Sequence, residues 1–574
     1  MIACRFRLPA VRGGGSTGCT AALVATVLVL LGGWSASSAA APEPAAPSSR
    51  IETDALGAIT PDAAGALTEA EGGLPPDMWR GTPRSLVAAL LPRLPVATPS
   101  PAMRSLMRRL LLSAAAPPAG DGAAGRLLGE RAWMLWRMGD LEGLLRLIAA
   151  VPADRRSAWL VRLEAEARLI LGDGPAACRL AQAQIGEDQD SFWQRLQGFC
   201  HAQGGEVEDA ELAVALLVDR GEDVRAYAAL IGAITGTGST LPKLPDPSPL
   251  DIAMLRAAKG SPAPEAAAEE ELPLALGIAE SPEFQDTLRL AATERAVAAG
   301  VLPAGRLRPL FQRVPPAKPA QNTARGGNRG ETPETSEQPF VRRAFGSEGP
   351  MARAEATVLA LDAGRRSGRY LATARALTPE LAAYGPGPEL AGYAQHLVPA
   401  MLAMGERALA AAWMSWLGKQ APLSPVADAA TELLMPLARL AKLPQAADWQ
   451  PDSLFPWWQA ERSRPGGRQR AVRLFVLLRA TGETVPDEVW TGLLDGPAQQ
   501  PGTAIDPAFR TQMMRAARAK RIGQTALLAL IALGSDGPEA VDPAGLEAVV
   551  DSLRTAGLES DGRAIAVEAM AAAR

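Results

Sequence analysis

Reactive side chains are scarce in this chain of 574 residues, which holds two histidines and four cysteines. A zinc centre needs Cys or His ligands at short spacing, and Cys178, Cys200 and His201 are the nearest approach to one. Lysine occurs six times, at 243, 259, 318, 419, 442 and 520, and never behind a Gly-rich phosphate loop. Gly236-Thr237-Gly238 lacks the strand and the acidic partner that a dinucleotide site requires. A Ser–His pair is set by folding and not by sequence distance, so His201 and His396 stay open, with ordinary helix positions as the plainer reading. Alternating Val/Ile/Thr runs do not reach five residues, which removes the period-two signal of a sheet and leaves an all-α chain. No catalytic residue, cofactor or metal is expected.

Repetition is what the sequence does contain. Arg137-Met138-Gly139-Asp140 closes one helical pattern, Ile170-Leu171-Gly172-Asp173 the next, and Ala202-Gln203-Gly204-Gly205 a third. The glycines at 139, 172 and 205 recur every 33 residues, a period that belongs to stacked helix pairs. Seven residues before each stands a small residue (Ala132, Ala165, Gly198), and five after come Leu144, Ala177 and Ala210 on the same seam. Each glycine is expected in the left-handed conformation that ends a helix without a Cβ penalty. This framework, over residues 130–223, resembles the tetratricopeptide repeat, though its aromatic positions are mostly lost and Pro152 comes early. The resemblance implies an α-solenoid of antiparallel helix pairs.

The first forty residues read as a secretory signal. Arg5, Arg7 and Arg12 form its basic region, Thr20–Trp34 is an apolar run of fifteen, and Ser38-Ala39-Ala40 suits cleavage. The run is shorter than the roughly twenty residues of a spanning helix; a retained N-terminal anchor is the alternative. Removing the signal takes three Arg from 58 Lys+Arg, leaving 55 against 62 Asp+Glu, a net of −7. An acidic chain gives no reason to expect nucleic acid or an anionic membrane as partner. The preference for Arg over Lys, with much Ala, Gly and Pro, suits a GC-rich bacterial genome, and export there leads to the periplasm.

Composition divides the remainder. Residues 41–73 are a flexible leader, 74–313 an N-terminal helical-repeat domain, 314–350 a disordered linker poor in large apolar residues, and 351–574 a C-terminal helical domain. Helices expected in the last region include 388–404, 406–418, 425–441, 468–481, 523–533, 543–556 and 561–573.

Two constellations bear on function. Acidic residues occur as solvated runs or at helix starts, and the Glu559-Ser560 pair has too little chain after it for a catalytic domain of the soluble lytic transglycosylase kind. Six of the twelve tryptophans fall between Trp413 and Trp490. Trp133, Trp136, Trp159, Trp193, Trp413 and Trp416 are expected to fill helix seams. Trp457 and Trp458 are adjacent on a proline-bent connection and cannot both point inward along one stripe, so one is a candidate partner contact. The leading expectation is a non-enzymatic periplasmic scaffold that binds protein partners in envelope assembly or maintenance. The alternative is a cell-wall glycan-binding or glycan-cleaving protein using the aromatic region 449–490.

Cys178 and Cys200 remain after the signal is removed, and each lies eleven residues from Gln189, in the turn between two expected helices. Equal offsets on antiparallel helices bring residues to one height, with facing Cα atoms about 3.5–5.5 Å apart. That overlaps the span of a disulfide, roughly 4.4–6.8 Å. Two buried free thiols, or a metal held with His201, are the alternatives. The expected outcome of thiol alkylation is no labelling of unreduced mature protein and two labelled cysteines after reduction; labelling without reductant would mean that the bridge is absent.

Overall fold

The computed structural model describes residues 60–186, 190–238, 240–268, 271–316, 337–496 and 502–573. The expected signal, the leader as far as 59 and residues 317–336 of the expected linker lie outside the described residues. Among those described, the chain forms 27 α-helices with short 3-10 turns, and β structure is confined to three isolated bridges. The all-α class stands. No described helix is long and apolar enough to cross a membrane.

After α1 (Arg84–Leu90) and α2 (Pro101–Leu112) come three successive pairs. They are α3 (Arg126–Arg137) with α4 (Leu141–Ala149), α5 (Ala158–Ile170) with α6 (Gly174–Gln184), and α7 (Ser191–Gly204) with α8 (Val207–Asp219). Gly139, Gly172 and Gly205 take φ of 69°, 81° and 80°, each at the end of the first helix of its pair. In the first two pairs an aspartate follows, and its side chain accepts a backbone N–H from the next helix, Gly143 for Asp140 and Ala176 for Asp173. Gly-Asp therefore stops one helix and starts the next. The small seam residues are fully enclosed, and at Gly198 an added Cβ would stand 2.2 Å from the Tyr227 hydroxyl. Cys178 on α6 and Cys200 on α7 form a disulfide with Cα atoms 5.8 Å apart. In the chain-entropy view a loop of this size adds about 3 kcal/mol.

The described end of the leader is packed, contrary to the flexible segment expected for 41–73. Asp62 is buried, pairs with Arg84 and accepts the Leu128 N–H at 2.9 Å. Arg131 on α3 reaches back to the carbonyls of Ala64 at 2.7 Å, Leu111 at 2.7 Å and Ser113 at 2.9 Å. A guanidinium that satisfies three carbonyls leaves residues 62–64 little freedom.

The chain continues through α9 (Arg225–Thr235), α10 (Pro249–Ala257), α11 (Leu272–Ala279), α12 (Asp286–Ala298) and α13 (Leu307–Arg313). Within the stretch expected as linker, α14 (Gln338–Gly346) and the start of α15 (Pro350–Ser367) are ordered helix. Val341, Ala344 and Phe345 are buried, and Phe345 meets Phe311 of α13 at 5.7 Å between centroids. Composition averaged over 314–350 concealed this short apolar face.

Then follow α16 (Tyr370–Ala376), α17 (Thr378–Ala383), α18 (Ala394–Ala403), α19 (Arg407–Gln420), α20 (Pro425–Leu440), α21 (Leu454–Glu461), α22 (Gly467–Ala480) and α23 (Asp487–Thr491). The last four are α24 (Pro507–Arg518), α25 (Ile522–Leu533), α26 (Pro543–Ala556) and α27 (Glu559–Ala571).

The two helical regions set apart by composition share one core, and the described residues from Thr60 onward cluster as one compact unit. Helix α2 packs on α25 and α27, and α12 on α16. Arg109 grips Asp561 through both carboxylate oxygens, at 2.7 and 2.8 Å, and Arg375 donates to the Pro99 carbonyl at 2.8 Å. With a protease site inserted between 317 and 336, the two fragments of cleaved protein are expected to co-elute in size-exclusion chromatography. Separate elution without denaturant would show that these contacts do not hold the halves together.

Candidate functional site

The residues singled out as partner contacts are core. Trp457 and Trp458 are 7% and 4% exposed. Both turn inward because α21 is packed between α20, α22 and α23, so that two neighbouring faces of one short helix are covered. The Trp457 indole N–H donates to the Leu433 carbonyl at 3.1 Å and its ring meets Phe475 edge-on at 6.1 Å. Trp458 lies over Gly492, where an added Cβ would stand 2.8 Å from its Nε1. Phe455 is the exposed ring of this helix, and the connection read as bent by Pro456 is helical. Trp159, expected to be core, is instead partly exposed and meets Trp133 edge-on at 6.5 Å.

With both described cysteines in a disulfide, the Cys–Cys–His metal alternative falls. His201 turns to Glu206, and with Asp209 it places three ligand atoms within 4.8 Å of one another. His201 lies in the last turn of α7, Glu206 at the N-cap of α8 and Asp209 in its first turn, with both carboxylates exposed. His396 stands 3.5 Å from Asp362. Burial works to raise the Asp362 carboxyl, but the His396 hydrogen bond and the charge of Arg365 outweigh it and hold the group below its ordinary range. A groove of about 470 Å³ beside them contains Glu461, buried and bound by Arg470.

A groove of about 710 Å³ runs along α27, bordered by the start of α2 and the ends of α18 and α20. It contains Glu559 and Ser560 at one end and Glu568 at the other. Hydrogen bonds from Lys442 and Arg563 hold Glu559 below its ordinary pKa, which is the wrong direction for a general acid. Glu568 is the opposite case. Burial pushes it up to about 8, against the hydrogen bonds from the Ser100 hydroxyl and the Ala102 N–H and the charge of Arg375. Nine residues of helix separate these two carboxyl groups by about 13.5 Å along the axis, beyond the roughly 6.5–9.5 Å of an inverting glycosidase pair. Glu568 is committed to α2: Oε1 accepts the Ala102 N–H at 2.6 Å and Oε2 pairs with the Ser100 hydroxyl, itself the N-cap.

Sequence reasoning missed Glu568. The available signal was an acid on the apolar face of α27, where Ile565, Ala566 and Ala569 are all enclosed. No protein-family model, curated protein or solved structure matches this chain.

A carboxyl raised on folding binds its proton more tightly in the native state. Its contribution is fully present below the unfolded value, near 4.5, and is lost as pH rises through about 8. The expected cost is about 1.4 kcal/mol per pH unit inside that window. Glu568→Gln keeps the bond from the Ala102 N–H and offers an NH2 donor to the Ser100 oxygen in place of the second acceptor, without the titration. Denaturant melts of the two proteins should converge near pH 5 and diverge towards pH 8, with the variant the more stable; parallel curves would show that Glu568 does not titrate across this range.

Proposed function

We propose that the protein is a non-enzymatic periplasmic scaffold, a solenoid of tetratricopeptide-like helix pairs that joins protein partners in envelope assembly or maintenance. One observation carries this reading: the exposed apolar residues are concentrated on the helix pairs. Among the described residues, six of the eleven exposed large apolar side chains lie between Trp159 and Val218. Leu212, Leu216 and Val218 on α8 are 56%, 45% and 53% exposed. Leu212, Ala215 and Leu216 share one helix face, and a contiguous apolar surface of this kind marks an interaction site. The non-enzymatic part draws support from the α27 groove, where Glu559 is held as a carboxylate and Glu568 caps a helix. In the aromatic region 449–490 Trp457 and Trp458 are buried and offer no ring to a glycan, which leaves Phe455 exposed and Trp449 and Trp490 half-buried.

A photo-crosslinking residue at position 212 or 216, in cells, is expected to trap the same envelope protein. Leu212→Glu with Leu216→Glu should abolish that adduct and shift stability by no more than about 0.5 kcal/mol, as exposed substitutions do. Absence of any adduct, together with turnover of cell-wall glycan by the purified protein, would reverse the assignment.

A further inference from the structure

A second surface has the chemistry of a particular partner. The ends of α3 and α12 and the starts of α11 and α16 enclose a groove of about 590 Å³. Its lining is largely apolar and small, with Leu272, Pro273, Ala298 and Ala372, together with the half-buried Trp133 and the edge of the buried Trp136. Arg137, Arg295 and Arg369 stand around it against a single described carboxylate, Glu271. Glu269 and Glu270, which precede it in the chain, lie outside the described residues. The protein as a whole carries a formal charge of −4, whereas the described lining of this groove carries three Arg against one Glu. Arg369 is engaged by Glu337 at 3.0 Å. Arg137 reaches only the Pro92 carbonyl, at 3.4 Å, and Arg295 has no ion-pair partner among the described residues.

We propose that this groove binds an extended acidic peptide segment of a protein partner. The peptide's carboxylates meet Arg137 and Arg295, and its aliphatic or proline side chains lie against Trp133 and the alanines. Guanidinium groups suit carboxylates because their paired N–H donors match the two oxygens. A polar glycan fits less well. Its hydroxyls need acceptors as well as donors, and the described lining has one carboxylate and no Asn, Gln or Asp side chain. Trp136 is buried and presents no open ring face for a sugar to stack on. The proposal rests on the scaffold reading and adds the chemistry of the partner.

The test uses the full chain purified after export, and a phage-displayed library of random peptides as probe. Selected sequences are expected to be rich in Asp and Glu interspersed with Leu or Pro. A synthetic peptide of that consensus should lose roughly fivefold in affinity with Arg137→Gln or with Arg295→Gln, the size of an exposed ion pair. Affinity should fall as salt rises, less steeply in the double variant, and Glu271→Gln should tighten binding. Circular dichroism of each variant checks that it is folded, and Arg295→Lys, which keeps the charge but loses the paired donors, should bind between the parent and Arg295→Gln. No enrichment, enrichment of basic sequences, or equal affinity in the arginine variants would overturn the proposal. Binding of purified glycan strands that is lost in Trp133→Ala, without peptide enrichment, would overturn it in favour of a glycan ligand. If the groove fails while crosslinking through Leu212 and Leu216 persists, the scaffold reading stands and only the groove's assignment falls.

Discussion

The fold depends on how the N-terminus of α2 is satisfied. The first N–H groups of any helix lack intrahelical partners, and here the acceptors come from another part of the chain. Ser100 caps Met103, and Glu568 on α27 takes the Ala102 N–H. Beside them Arg109 on α2 holds Asp561 on α27. Burying a carboxyl is unfavourable unless it is hydrogen-bonded or neutral, and Glu568 is bonded through both oxygens, with burial favouring the neutral form. Around this point α27 packs against α2, α18, α20, α22 and α26, so one helix belongs to the core of both halves.

Arginine does related work elsewhere. Arg256 donates to the carbonyls of Leu169, Ile170 and Gly277, at the ends of α5 and α11. Arg563 donates to those of Leu440 and Thr481, where α20 and α22 end. Arg104 bridges the carbonyls of Met138 and Ala299. These are orphan carbonyls at helix C-termini, where a cation is also favoured by the dipole. Alanine-rich helices offer few large side chains to join one turn to the next, and a planar group with five donors can reach several carbonyls at once. The excess of Arg over Lys, which composition alone assigned to codon usage, therefore has a structural part.

What could be read beforehand was what is local. The Gly-Asp punctuation at 139–140 and 172–173 fixes helix ends through a backbone angle and a cap, and both effects act within a few residues. The height of Cys178 against Cys200 follows from two helices and one turn. Most helix spans expected in the C-terminal region came out within a few residues, as with 543–556 and the observed Pro543–Ala556. The expected 388–404, however, begins as a 3-10 turn with α18 starting at Ala394, and α17 and α21 were not expected. What could not be read was set by residues distant in sequence. Trp457 and Trp458 look too close together to be buried at once until α20, α22 and α23 are placed around them. Glu568, Arg131 and Asp62 look like surface charges until their partners, distant in sequence, are known. The likeness to the tetratricopeptide repeat rests on the glycine spacing and the small seam residues.

The distance in sequence between Ser100 and Glu568, 468 positions, also orders folding in time. The pairs from α3 to α8 are built from neighbouring segments and can form early, while contacts between remote segments are slow to be made. Docking of α27 onto α2 closes the longest of these separations. Before that step the Glu568 carboxyl is hydrated and ionised at neutral pH, and after it the group favours the protonated form. Docking of α27 onto α2 is thus coupled to the uptake of a proton, and acidity favours it.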